Sequence, residues 1–180
     1  KNEQNLQSKI DKLSLKIQEF LAENKAKRRN YIVTEEQSKT IYPIISELKS
    51  KINSSKQLTE SEKTWQNQNV RIIEQLLEKS SVNRDKSMAE NFIWIKNQNP
   101  NSKFILWAHN GHINKDKNRM GGFLDEILKN DYVTFGFAFF DGIYKAYNKN
   151  DVGNVTAETP YLGTYEYWLN SLNEPYFILD

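Results

Sequence analysis

The chain has 180 residues, 38% of them hydrophobic and 12% aromatic, which is enough to build one domain with a real core. Its 25 lysines and arginines nearly cancel 23 aspartates and glutamates, so no broad field draws it to nucleic acid or anionic lipid. The absence of cysteine excludes disulfides, thiolate nucleophiles and cysteine metal sites, and no run nears the roughly 20 apolar residues of a membrane-spanning helix.

Those bounds predict a soluble protein without a nucleic-acid partner or a membrane span. They leave the compartment open between cytoplasmic and exported after loss of a signal outside this chain. The chain begins at Lys1 and stops directly after the apolar run 176–179, and so reads as a fragment of a larger domain.

From the start, Leu6, Ile10, Leu13, Ile17 and Phe20 recur at alternating steps of four and three, which predicts a helix with one apolar stripe. Thr34 with Gln37 and Thr59 with Glu62 fit the capping-box pattern, each opening a further helix. The first of these carries Ile41, Ile45, Leu48 and Ile52, with Pro43 kinking its early turns or marking its start. The next carries Trp65, Ile72, Ile73, Leu76 and Leu77. After a boundary near residues 80–83, Met88, Phe92 and Ile95 extend the helical period to the break at Asn99-Pro100. Counting back along that stripe by helical steps lands on Arg84, which predicts a guanidinium facing the core.

The pattern then changes. Phe104-Ile105-Leu106-Trp107-Ala108 is an unbroken apolar run of the kind that fills a strand covered on both faces. A second run at 132–140 follows a helix-length segment at 120–128, and a third at 176–179 follows a helical segment at 165–172. The predicted architecture is α/β: a mainly helical region over 1–100 bearing Arg84, then a β-α-β-α-β core with a mostly parallel sheet over 101–180. The two form one structural unit.

The two histidines of the chain both lie in His109-Asn110-Gly111-His112, directly after the run 104–108. Residues leaving a buried parallel strand are aimed into the crevice where open α/β sheets bind ligands. Imidazole suits proton transfer near neutrality, and Gly111 allows a tight turn between the rings. Two alternatives stand beside this. One histidine holds the loop while the other is solvated, or both join Asp116, Asp125 or Glu126 around a metal. Arg84 is either a salt bridge tying its helix to the sheet or a clamp for charge developing on a carbonyl oxygen. Asp85 and Glu90 share its helix, facing the site or solvent. Gly121-Gly122 is a weak signal for a helix N-terminus opened towards an anion. No G-x-S-x-G, P-loop, G-x-G-x-x-G or H-E-x-x-H pattern occurs, so serine-hydrolase, nucleotide and zincin readings have no support.

Taken in order, several stretches together resemble the erythromycin esterase family. They are Arg84-Asp85-x-x-Met88-Ala89-Glu90-Asn91, Trp94, Leu106-Trp107-Ala108-His109-Asn110-Gly111-His112, Met120-Gly121 with Leu124, residues 132–137, Gly142, Gly163-Thr164-Tyr165-Glu166 and residues 177–180. The resemblance covers roughly residues 65 to 180. It implies an α/β fold with a helical insertion and a deep cleft, where histidine and acidic side chains activate water to open a macrolide lactone ester without a metal or cofactor. It carries catalytic roles onto His109, His112 and Arg84, with Asn110, Asp85 and Glu90 contacting a small-molecule ester or lactone. It also implies that an N-terminal half bearing a glycine-glutamate strand end and a further histidine lies outside this chain. The expectation is therefore that the 180 residues alone do not hydrolyse esters and either self-associate through an exposed sheet edge or rearrange it. The rival reading, from another class, is a non-catalytic binding or scaffold module that retains the fold.

Overall fold

The structure, a computed structural model, describes residues 33–78, 81–148 and 151–174, with single positions among residues 8–22 and residue 178. The chain divides into two compact units, residues 1–133 and 134–180. Unit 1 holds α1 (Glu35–Ser54), α2 (Glu60–Leu77), α3 (Ser81–Gln98), the single-turn α4 (Asn110–Ile113), α5 (Met120–Leu128) and a 3-10 turn, Lys129–Asp131. Unit 2 holds β1 (Ile143–Asn148), β2 (Asp151–Thr156) and the short α6 (Tyr165–Asn170).

The two predicted capping boxes open α1 and α2. The Thr34 side chain accepts the Gln37 N–H at 3.2 Å, and the Gln37 side chain accepts the Thr34 N–H at 2.9 Å. The Thr59 hydroxyl accepts the Glu62 N–H at 3.2 Å, while the Glu62 carboxylate accepts the Thr59 N–H at 2.8 Å. Each box satisfies N–H groups that the helix itself leaves orphaned. Pro43 lies inside α1, eight residues beyond its first residue Glu35, rather than at its start.

Two hydrophobic clusters sit in unit 1. Ile41, Ile45, Leu48 and Ile52 of α1 close on Val70 and Leu77 of α2. Ala89 and Phe92 of α3 close on Ile113 of α4 and on Met120 and Leu124 of α5. Between the clusters, α2 and α3 are joined by polar contacts. Arg71 reaches Glu78 at 2.6 Å and Glu90 at 3.0 Å, and Gln75 donates to Glu90 at 3.0 Å.

The predicted parallel sheet is not present among the described residues. The sheet found there is the antiparallel hairpin β1–β2, with Ile143 opposite Thr156 and Tyr147 opposite Val152. Residues 104–108 carry no strand, and their burial alternates. Phe104, Leu106 and Ala108 pack on the second cluster, while Ile105 is 94% and Trp107 84% exposed. An unbroken apolar run does not say whether one face or both are covered, and here one is. Residues 132–140 likewise carry no strand, with Tyr132 against the core and Val133, Phe135, Phe137 and Phe139 exposed. The parallel-sheet edge invoked for self-association has no counterpart among the described residues. The stripe from Leu6 to Phe20 and the terminal run 176–179 lie outside the described residues, Ile178 excepted.

Candidate active site

The buried face of α3 runs through Asp85, Ala89 and Phe92, at 2%, 1% and 9% exposure. Arg84 is exposed, and so is Ile95. The predicted core-facing guanidinium is thus corrected by one position: a carboxylate, not a cation, points inward. Steps of four and three from Asp85 through Ala89 to Phe92 give the helical stripe as well as those from Arg84 do. Ala89 is a weak marker on which to choose between them.

A buried carboxylate persists only with donors around it. One Asp85 oxygen, Oδ1, takes two. The Met120 N–H donates at 3.1 Å, and the Nδ1 of His112 lies at 2.7 Å. Met120 is the first residue of α5, whose N-cap residue Arg119 supplies no side-chain cap, so Asp85 serves from α3 as the missing partner. A negative charge at a helix N-terminus is also favoured by the helix dipole. The anion at this N-terminus is therefore a side chain of the protein itself.

The glycine pair makes that approach possible. A Cβ on Gly121 would stand 2.0 Å from the Ile113 carbonyl oxygen, and one on Gly122 2.0 Å from that of Asp116. With no side chain, the first turn of α5 lies directly on the backbone of residues 113–117. That backbone is fixed from other sides as well. The Tyr132 hydroxyl donates to the Ile113 carbonyl at 2.6 Å, and Lys115 pairs with Asp125 at 2.7 Å.

His112, in α4, is partly buried and meets two partners. Its Nε2 lies 3.1 Å from Nη1 of the exposed Arg84. Arginine only donates, so Nε2 accepts, and in the neutral ring the proton sits on Nδ1 and is donated to Asp85. The result is a continuous line from Arg84 through the imidazole to Asp85 and the α5 N-terminus.

The other residues singled out from the sequence have different positions. His109 is exposed and is the N-cap of α4, where its Nδ1 accepts the Gly111 N–H at 2.9 Å. Asn110 is exposed and opens α4. Glu90 is five residues beyond Asp85, roughly 140° around the helix, and belongs to the α2–α3 network with Arg71 and Gln75. Burial pushes its carboxyl up, but the hydrogen bonds from Arg71 and Gln75 and the Arg71 charge outweigh this and hold it below the usual glutamate range. Asp116 accepts the Asn118 N–H at 3.0 Å within its own loop, and Asp125 pairs with Lys115. Among the described residues, no three histidine, aspartate or glutamate side chains converge as a metal would require. No helix there is long and apolar enough to cross a membrane.

A Bacillus subtilis (strain 168) protein named "Putative hydrolase YbfO" is 28% identical over 110 residues, covering 54% of this chain. The chain spans 25% of the length of that relative. No solved structure matches. The profile described as erythromycin esterase matches residues 3–180, and by a match of that extent the chain belongs to the erythromycin esterase family.

Proposed function

We propose that this chain contributes the working centre of a hydrolase that opens an ester or macrolactone with water, using His112 as the base and Arg84 as the clamp on the carbonyl oxygen. The observation that carries the reading is the line Arg84–His112–Asp85, a partly buried imidazole with a carboxylate behind it and a cation in front. Membership of the erythromycin esterase family and the hydrolase name of the Bacillus relative support the reaction class.

In the resting site Arg84 donates to Nε2 of His112. Arg84 is exposed and carries further N–H donors, so a bound carbonyl oxygen draws the guanidinium onto itself and frees the Nε2 lone pair. Exchanging one hydrogen bond for another of the same kind costs about 1 kcal/mol or less. Nε2 then takes a proton from water as the water oxygen bonds to the carbonyl carbon. The carbonyl electron pair moves to oxygen and is held by Arg84. When the C=O re-forms, the C–O bond to the alcohol breaks, and His112 returns its proton to the leaving oxygen. Asp85 holds the ring through its hydrogen bond with Nδ1.

A panel of simple esters and macrolactones, run on the protein as its host makes it, tests this. Turnover of at least one ester or lactone is expected, with Arg84→Ala lowering kcat by about a hundredfold or more. Inactivity across the panel, or an Arg84→Ala protein at full rate, contradicts the reading.

A further inference from the structure

The two histidines stand three residues apart, yet their partners demand opposite things of them. The Nδ1 of His109 receives the Gly111 N–H at 2.9 Å, so that nitrogen carries no proton and the neutral ring is protonated on Nε2. The Nδ1 of His112 faces the Asp85 carboxylate at 2.7 Å, and its Nε2 faces a donor-only guanidinium at 3.1 Å, so the neutral ring is protonated on Nδ1. Both assignments follow from groups whose roles are fixed: a backbone N–H only donates, an arginine only donates, and a carboxylate only accepts.

We propose that His109 and His112 are held as opposite tautomers and divide the work: His112 presents a proton-accepting Nε2, and His109 presents a proton-bearing Nε2 that hydrogen-bonds the substrate's carbonyl oxygen. The division of work rests on the hydrolase reading, whereas the tautomers rest on the hydrogen bonds alone. His109 is exposed, so its Nε2–H is open to a ligand. A neutral imidazole gives up that proton only by becoming an anion, so His109 polarises the carbonyl and never delivers the proton. The transferred proton passes from water to Nε2 of His112 and on to the leaving alcohol, which balances the reaction without any change of charge on His109.

In this arrangement Asp85 and the Gly111 amide are positioning groups. Asp85 is the more consequential, because the same Oδ1 holds the Met120 N–H at 3.1 Å. The tautomer of His112 and the seating of the α5 N-terminus therefore depend on one oxygen. A purely structural role for Asp85 requires only the second of these contacts.

The 180-residue chain contains two histidines, so labelling their ring nitrogens with 15N resolves both in one two-bond 1H–15N spectrum. The spectrum is taken at a pH where each ring's own titration shows it to be neutral. The expected result is one ring with its bare-nitrogen shift on Nδ1 and the other with it on Nε2. His112→Gln and His109→Gln proteins assign the signals to His109 and His112 respectively. Asp85→Asn is expected to move the His112 signals towards a mixture of tautomers and to shift the Met120 amide, leaving the His109 signals in place. Two rings of the same tautomer, or a His112 ring protonated on Nε2, overturn the proposal. So does an Asp85→Asn protein whose Met120 amide moves while the His112 signals do not. The measurement needs no substrate, so a failure here is distinct from a failure to hydrolyse esters.

Discussion

Asp85 joins two contacts of different kinds, one to an imidazole and one to a backbone N–H, and the cost of removing it is correspondingly large. At 2% exposure it is a buried carboxylate holding an imidazole N–H and a backbone N–H. Asp85→Ala strands both donors in a site with little water, and breaking a buried pair of this sort costs about 3 kcal/mol or more. Asp85→Asn keeps the shape and one acceptor and is expected to cost less. Urea denaturation of the two variants against the parent checks the order, and an Asp85→Ala protein as stable as the parent contradicts it. The sequence made this residue visible as a candidate but assigned the buried position to its neighbour Arg84. With Met88, Ala89, Phe92 and Ile95 all apolar, the stripe fits two phases one residue apart. What decides between them is tertiary: the Met120 amide and His112 both need an acceptor at that place on α3. The resemblance puts Glu90 beside the substrate, while its hydrogen-bond partners Arg71 and Gln75 lie on a different helix, to which no spacing rule in the sequence links it.

At the scale of elements, local chemistry was legible where the signal is local. The boxes at Thr34 and Thr59 involve residues three apart, and they mark the first turns of α1 and α2 as the sequence predicts. Thr59→Ala is expected to lower stability by about 1 kcal/mol, read from the shift of the denaturation midpoint. Strand partners were not legible in the same way. The runs at 104–108 and 132–140 have strand-like composition, yet the strands among the described residues are 143–148 and 151–156. Neither 143–148 (Ile-Tyr-Lys-Ala-Tyr-Asn) nor 151–156 (Asp-Val-Gly-Asn-Val-Thr) alternates apolar with polar residues, so the period-two signal of a strand is missing from both. The glycine pair shows a different limit. Nothing in the sequence says that Gly121 meets a carbonyl oxygen, whereas the structure leaves its hydrogen facing Ile113 with no room for a methyl group. Gly121→Ala is expected to push α5 off residues 113–117 at a cost of about 1–3 kcal/mol. Because Met120 moves with it, the His112–Asp85 contact should loosen too. Thermal unfolding together with the His112 ring signals checks both effects, and an unchanged melting temperature contradicts this packing.

For the molecule as a whole, pH reaches stability through carboxylates that the fold holds ionised. Glu62 is lowered by hydrogen bonds from the Thr59 backbone and hydroxyl, and Glu90 is lowered by Arg71 and Gln75 against the opposing effect of burial. A group whose pKa is depressed on folding stabilises the fold above its unfolded value and loses that contribution as the pH falls through the folded value. Stability is therefore expected to hold from neutrality down to the ordinary glutamate range and to decline below it. Glu90→Gln should remove part of that decline, as denaturant midpoints measured between about pH 7 and about pH 3 will show. A parent and a Glu90→Gln protein with parallel pH profiles contradict the role given to this network. The central claim concerns the other face of α3, and kinetics on the protein as its host makes it test it most directly. With an ester or lactone that the parent hydrolyses, His112→Ala is predicted to lower kcat by at least about a hundredfold while the circular dichroism spectrum stays that of the parent. A His112→Ala protein that is folded and hydrolyses the same substrate at the parental rate would contradict the account.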